Sequence, residues 1–304
     1  MHGRKWFRQH SLSCMTVYNL HGRYFDPATS HISAYFCQLF ILIGEDYFQY
    51  CILDTDKNKF IALVDFRLPS SERSTDKICS LIEEIISSEE LLHKNYPSVI
   101  VGVNNPYHTL VPSPLFDTGQ IQKYLEFNFK IPENHHYKYD RLEEMDAINA
   151  SCIPENLEEV ITRHFSKAAI VHGSTAVIKA AYLNNKINPG QSLFFLNVRR
   201  HNLDLAMFEG NRPVLFNSFP FTGKEDLLYF TLLMIEQSGH RPDKVQLCLS
   251  GMIEENSETF QLLMQYISHL TFASRLSSFD YSALLGQLPS HYYQDLYALA
   301  LCGS

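Results

Sequence analysis

The sequence predicts an α/β fold built as two related lobes, and three observations carry that prediction. Runs rich in β-formers come in threes, each trio followed by a helical run and one more β-rich run, and this order occurs twice. Shifting the first occurrence by 155 residues places Leu39 on Phe194, Ile43 on Val198, Phe48 on Leu203, Ile52 on Met207, Leu53 on Phe208 and Asp54 on Glu209, so strands and turn coincide. The length, 304 residues, also exceeds the roughly 100 to 200 of an ordinary domain.

The first trio lies within Leu39–Leu68. Tyr47–Leu53 is apolar apart from Gln49, Asp54–Lys59 is a polar break, and Phe60–Phe66 is apolar again. Ile78, Leu81, Ile82, Ile85 and Ile86 recur at helical spacing within Thr75–Leu92, and Val99–Val103 reads as a buried strand. Between the repeats, Phe116–Phe129 is expected to be helical, Pro132–Asp140 to be a polar loop, and Asp146–Ile153 to be a strand. Pro154 lacks a backbone donor and so suits the opening of a helix running to Phe165. A strand at Ala168–His172 and a helix near Thr175–Leu183 follow. In the second repeat, Leu193–Val198, Leu203–Phe208 and Val214–Phe219 are strands, Lys224–Gln237 a helix and Val245–Leu249 a strand, with a last helix at Tyr292–Leu301. Asn188-Pro189-Gly190 is a strong turn signal, so the lobes are expected to span 31–187 and 188–304. Residues 1–30 show too little periodicity to assign.

With 45% hydrophobic and 13% aromatic residues, each lobe can bury a core. The excess of 33 acidic over 25 basic residues gives a charge of -8, which repels nucleic acid and acidic membranes. Arg4, Lys5 and Arg8 form the one basic run and read as a solvated tail. Seven cysteines, odd in number and mostly within apolar stretches, read as thiols of a reducing compartment. No apolar run approaches the roughly 18 residues of a membrane helix, and Gln9, His10 and Ser11 stand where a signal peptide would need apolar residues. The expectation is a cytoplasmic chain with no membrane insertion and no nucleic-acid partner.

The common catalytic loops are missing. Gly223-Lys224 is followed by Glu225 with no upstream glycine for a phosphate loop, and neither a dinucleotide fingerprint nor a nucleophile elbow occurs. No two cysteines stand at zinc-ligand spacing; adjacent His135 and His136 read as surface-loop residues, and no metal is expected. Ser174, after His172 and Gly173 at a strand-to-helix junction, serves most simply as a helix N-cap.

Three strands, a helix and a strand in each of two lobes resembles the core of the actin-like ATPase superfamily, of ribonuclease H-like fold. That superfamily also holds hexokinase-like sugar kinases and actin-like proteins of pilus and secretion machinery. Its first hairpin carries an Asp facing metal-bound phosphates and a Gly that lets backbone amides approach them. Here Ile41-Leu42-Ile43-Gly44-Glu45-Asp46 keeps Gly44 but has Leu42 in the acidic place. At the second hairpin, Asn197-Val198-Arg199-Arg200 puts an amide where the acid belongs and a bulky cation in place of the glycine. The adenosine loop, which should end in two glycines, reads Leu249-Ser250-Gly251-Met252. The degenerate cleft therefore comprises Gly44, Glu45, Asp46, Asn197, Arg199, Arg200, Ser250 and Gly251. The runs Tyr107–Phe116, Tyr124–Asn128 and Asp146–Asn149, ahead of Ile153-Pro154, look like an uncharacterised bacterial family within this superfamily, from about Leu39 to the end.

The resemblance leaves three functions open. One is a non-catalytic actin-like protein with an unidentified protein partner and no cofactor. A second is a Mg-ATP-dependent ATPase or sugar-kinase-like phosphotransferase, using Asp46, Asp54, Asp65 or Asp204 for metal and Arg199 or Arg200 for phosphate. The third is a self-assembling filament protein, with a homo-oligomer as the partner.

Overall fold

A computed structural model describes residues 18–25, 33–69, 74–185 and 192–303. The first sheet is built from β1 (Asn19–Phe25), β2 (Cys37–Ile43), β3 (Tyr47–Asp54), β4 (Lys59–Arg67), β5 (Ser98–Val103) and β9 (Ala169–His172), in the order β1-β4-β3-β2-β5-β9. The second sheet has the order β12-β11-β10-β13-β14, from β10 (Leu193–Val198), β11 (Asn202–Glu209), β12 (Arg212–Pro220), β13 (Gln246–Gly251) and β14 (His269–Phe272). Both share one plan: an antiparallel meander whose first strand also pairs in parallel with the strand after the helix. The registers agree as well. Ile43 pairs Phe48 and Val198 pairs Leu203, the same positions 155 residues apart. This is the two-lobed actin-like ATPase fold.

Strand alternation decides which layer each side chain joins. In β2, Leu39, Ile41 and Ile43 face α1 (Thr75–Ser88) and α3 (Glu155–His164), burying Ile78, Leu81, Ile82 and Ile85 of the one and Leu157, Val160 and Ile161 of the other. Phe40 and Leu42 point the other way, toward α4 (Gly173–Asn185). In β10, Phe194, Leu196 and Val198 face α5 (Lys224–Gln237) and α6 (Glu258–Met264), while Leu193 and Phe195 again face α4. α4 is thus enclosed by both sheets. Ala176, Ala180 and Ala181 are all but inaccessible, and a helix buried on most of its circumference needs small residues for two sheets to approach it.

A third, antiparallel sheet with the order β6-β8-β7 comprises β6 (His108–Pro112), β7 (His135–Leu142) and β8 (Ala147–Pro154). β7 falls where the sequence predicts a polar loop. An edge strand with one face open to solvent needs no apolar run, and His135 to Leu142 alternates between exposed and partly buried positions. The helix expected over Phe116–Phe129 shrinks to a 3-10 turn at Thr118–Gln120 and α2 (Ile121–Glu126). The helix expected over Thr75–Leu92 stops at Ser88, and a 3-10 turn covers Glu90–His93. The turn Lys186–Gly190 lies outside the described residues, as do 1–17 and 26–30 of the N-terminal segment.

After β14 the chain leaves the second sheet. β15 (Asp280–Tyr281) pairs with β4, and α7 (Ala283–Gly286) leads to α8 (Gln294–Tyr297) and a 3-10 turn at Ala298–Leu301. Sequence 188–304, expected as the second lobe, therefore sends its last segment onto the first sheet: Tyr297 lies 4.7 Å from Phe60, ring to ring, and Leu299 fills the space over Gly102 beside Leu42. No helix among the described residues is long and apolar enough to cross a membrane.

Leu299→Ala is expected to cost about 2–5 kcal/mol in urea unfolding with an unchanged m-value, the range for a leucine deleted from a fully buried site. A loss below about 1 kcal/mol would show that the tail lies outside the core.

Candidate functional site

The two hairpin turns, β2–β3 and β10–β11, meet across a crevice at the carboxyl ends of the parallel strands, where ligands settle in open α/β sheets. Equivalent hydrogen bonds shape them. Gly44 N donates to Tyr47 O at 3.0 Å and Arg199 N to Asn202 O at 2.8 Å. The strands beside them close alike, Asn104 N on Ile43 O at 2.8 Å and Met252 N on Val198 O at 2.7 Å. Leu42 thus matches Asn197, Gly44 matches Arg199, and Asp46 matches His201.

Each residue expected in the degenerate cleft has a definite place. Leu42 is fully buried in the core shared by both sheets. Gly44 lies under the Tyr47 ring, which a β-carbon there would meet at 2.4 Å. The Tyr47 hydroxyl accepts from Asn104 Nδ2 at 2.5 Å, and burial raises its pKa. Glu45 stands exposed at the mouth, Asp46 is buried, and Arg200 is exposed on the far side. Arg199 turns inward with only 13% of its side chain exposed. Its Nη1 and Nη2 grip both oxygens of Asp204, the second bond being 2.8 Å, and Nη1 lies 3.9 Å from Asp295. Burial opposes the Arg199 charge, yet Asp204, Tyr47 and Asp295 more than offset it and its pKa is raised. Asn197 Nδ2 donates to Asp204 at 3.3 Å and Asp295 at 3.5 Å.

The third motif is engaged as well. Gly251 has φ +80°, and a β-carbon would come within 2.1 Å of Val198 O, so only glycine fits. Its amide donates to His291 O at 2.8 Å, and Ser250 Oγ to the same carbonyl at 3.3 Å. Arg199 thus engages Asp204, with Asp295 close by, and the Gly251 amide is taken by the His291 carbonyl. Of the other carboxylates considered for metal, Asp65 accepts from Gln49 at 3.0 Å and from the Tyr293 hydroxyl at 3.0 Å. Asp54 caps the turn at the opposite end of β3 through the amides of Asp56 and Lys57. Among the described residues no three His, Cys, Asp or Glu side chains come together to hold a metal.

Sequence reading missed what joins the crevice to the interior. Ser218 Oγ donates to Asp204 at 2.6 Å and accepts from His108 Nε2 at 2.9 Å, which fixes the neutral Nε2–H tautomer. The His108 ring lies 4.9 Å from that of His172. Ser174 does not cap α4, since it is the helix's second residue and its amide donates to His172 Nδ1 at 3.2 Å. Its hydroxyl bonds that same nitrogen at 2.6 Å and accepts from Asn149, which also donates to Thr175; Thr175 in turn donates to Asp140. A buried polar chain thus runs from Arg199 in the second lobe to Asp140 in the third sheet. His135 and His136, adjacent on a strand, take different partners, the Glu133 carbonyl at 3.1 Å and Glu158 at 2.7 Å. The six described cysteines are free; burial is the main force pushing Cys37 and Cys79 up to about 11, so neither is a ready nucleophile.

A family model for proteins of unknown function, DUF3822, matches residues 26–270. The chain belongs to the DUF3822 family. Among solved structures it is similar to a Bacteroides thetaiotaomicron protein with actin-like ATPase fold and unknown function, at 18% identity over 88% of this chain and 97% of that one, TM-score 0.76. It is also similar to a chain of the PilM-PilN type IV pilus biogenesis complex, at 10% identity over 87% of this chain and 97% of that one, TM-score 0.61. A search of curated proteins returns no match. These likenesses establish the fold, and the site must be argued from its own residues.

Two predictions test the buried network. Arg199→Met strands Asp204 beside Asp295 and is expected to destabilise by about 3–5 kcal/mol in chemical unfolding, whereas a surface-like loss under about 1 kcal/mol would show that Arg199 is not buried with them. Burial lowers His108 from 6.5 to about 4, so the unfolded chain binds more protons between those values. Stability contributed by neutral His108 is full above pH 6.5 and falls as pH drops toward 4, by about 2 kcal/mol between pH 7 and 5. His108→Gln is expected to flatten the fall in melting temperature over that window; an unchanged slope would place His108 in water.

Proposed function

We propose that the chain is a non-catalytic actin-like protein that acts by binding another protein. The observation that carries this reading is the buried cluster of Arg199, Asp204 and Asp295 at the second hairpin. It sets the chain's own cation where the resemblance would gather metal-bound phosphate. Phosphoryl transfer rests almost wholly on positioned charge and metal. With Leu42 and Asn197 in the acidic places, and Gly44 covered by Tyr47, little of that machinery has a counterpart here.

Partner binding is favoured by the surface. A cleft of about 640 Å³ lies between the first and third sheets, at the starts of α1 and α3. Glu45, Asp76, Glu133, Glu155 and Glu159 line it, with no lysine or arginine among its described residues. Two helix N-termini add only about half a positive charge each, so the carboxylates win and a partner segment bearing basic residues suits the cleft. The PilM neighbour, seen with PilN, lends support by analogy of fold alone.

Calorimetry with Mg-ATP is the direct test. No saturable heat is expected from the purified chain; micromolar affinity, or hydrolysis that disappears in Arg199→Ala, would replace this reading with the phosphotransferase one.

A further inference from the structure

We infer that the crevice contains a subsite centred on Asp46 that takes the ammonium or guanidinium group of a ligand. Asp46 is 7% exposed, and its Oδ2 is shut from solvent without a hydrogen-bond partner. The nearest cationic candidate is His201 Nε2, 4.0 Å away, beyond hydrogen-bond reach and itself without a partner. Burying a carboxylate oxygen with no donor costs several kcal/mol unless something fills the place. Neighbouring buried acids show the contrast: Asp65 has Gln49 and Tyr293, and Asp204 has Arg199 and Ser218.

Asp46 lines a cavity of about 220 Å³ together with Glu45, Arg199 and Asn202. That volume exceeds the roughly 30 Å³ share of a single water but falls short of the 300 Å³ at which whole-ligand pockets begin, so it suits a head group. The cavity shares Glu45, Asn104, Asn105 and Pro106 with the 640 Å³ cleft, which leaves room for the remainder of a ligand. Charge selects the class. Arg199 is committed to Asp204 with Asp295 close by, and among the described residues no lysine or arginine pairs with Asp46 or Glu45, so an anion would be repelled. On the other side of Asp46, Arg67 and Arg200 border a cavity of about 30 Å³, and neither forms an ion pair with Asp46 among the described residues. A divalent metal would want six or more oxygens, whereas an N–H cation is satisfied by one carboxylate and a few acceptors. The inference stands on this cavity alone and holds whether the cation belongs to a free amine or to a partner's lysine or arginine.

Calorimetric titration of the full chain with spermidine, with N-acetyl-arginine amide and with a short arginine-containing peptide tests it. At least one probe is expected to saturate, and Asp46→Asn to weaken it about tenfold or more while melting at or above the wild-type temperature, since it removes a buried charge without a partner. Tighter binding of spermidine would assign a free amine and tighter binding of the peptide a protein side chain. No saturation by any probe, or equal binding by Asp46→Asn, overturns the inference. So does a matched fall in melting temperature in Asp46→Asn and His201→Ala, which would make His201 the partner of Asp46.

Discussion

A guanidinium taken out of water stays charged only among acids, and that requirement organises the crevice between the lobes. Arg199 projects from the β10–β11 turn into the space shared by the two hairpins. Asp204, in the strand after the turn, answers it with both oxygens, and Asp295 arrives from the far end of the chain. Burial raises the pKa of Asp295, which on its own would favour the neutral acid; the arginine charge works against that. The pair of hydrogen bonds also fixes neighbours, since Asp204 Oδ1 takes the Ser218 hydroxyl and so sets the tautomer of His108. One buried cation thereby determines the hydrogen bonding of residues in β6, β11 and β12, and Asp295 of the tail lies 3.9 Å from it.

The same region explains why the lobes hold together. α4 lies between the two sheets, with Phe40 and Leu42 on one side and Phe195 and Phe208 on the other. Its first residue, Gly173, admits the Asn104 side chain where a β-carbon would come within 2.1 Å of Asn104 Oδ1. Asn104 in turn holds the Tyr47 hydroxyl over Gly44. The packing of the helix and the closure of the first hairpin are therefore one arrangement. Leu42 lets the interlobe core extend to the edge of the crevice, where Leu299 packs beside it over Gly102.

Much of this was legible in the sequence because it is local or periodic. Alternating and apolar runs gave both meanders, and the offset of 155 residues aligned Phe48 with Leu203 in the register that the strand pairs adopt. Leu42, Asn197 and Arg199 could be singled out only through the resemblance to the actin-like ATPase superfamily, whose hairpin motifs carry other residues at those places. The partners of Arg199 could not be read, since Asp295 is 96 residues further along and reaches it only through the path of the tail over the first sheet. β7 escaped because an edge strand with an open face carries no apolar run, and Ser174 was misread because a histidine took the capping place. One signal was present and unused: the same offset carries Asp46 onto His201, the two residues that face each other across the crevice.

The two hairpins share one backbone geometry and differ in complementary ways. The first has Gly44 under the Tyr47 ring and Leu42 in the core; the second has Asn197 and a cation, Arg199, that its own strand neutralises. Together they leave a crevice bordered by Tyr47, Asn104 and the Arg199–Asp204 pair. Asp46 Oδ2 is one of the buried atoms there without a partner, with Asn197 Oδ1 and His201 Nε2. Asp46 and Glu45 both line the cavity, so the polarity that remains there is acidic and invites a donor in place of a phosphate.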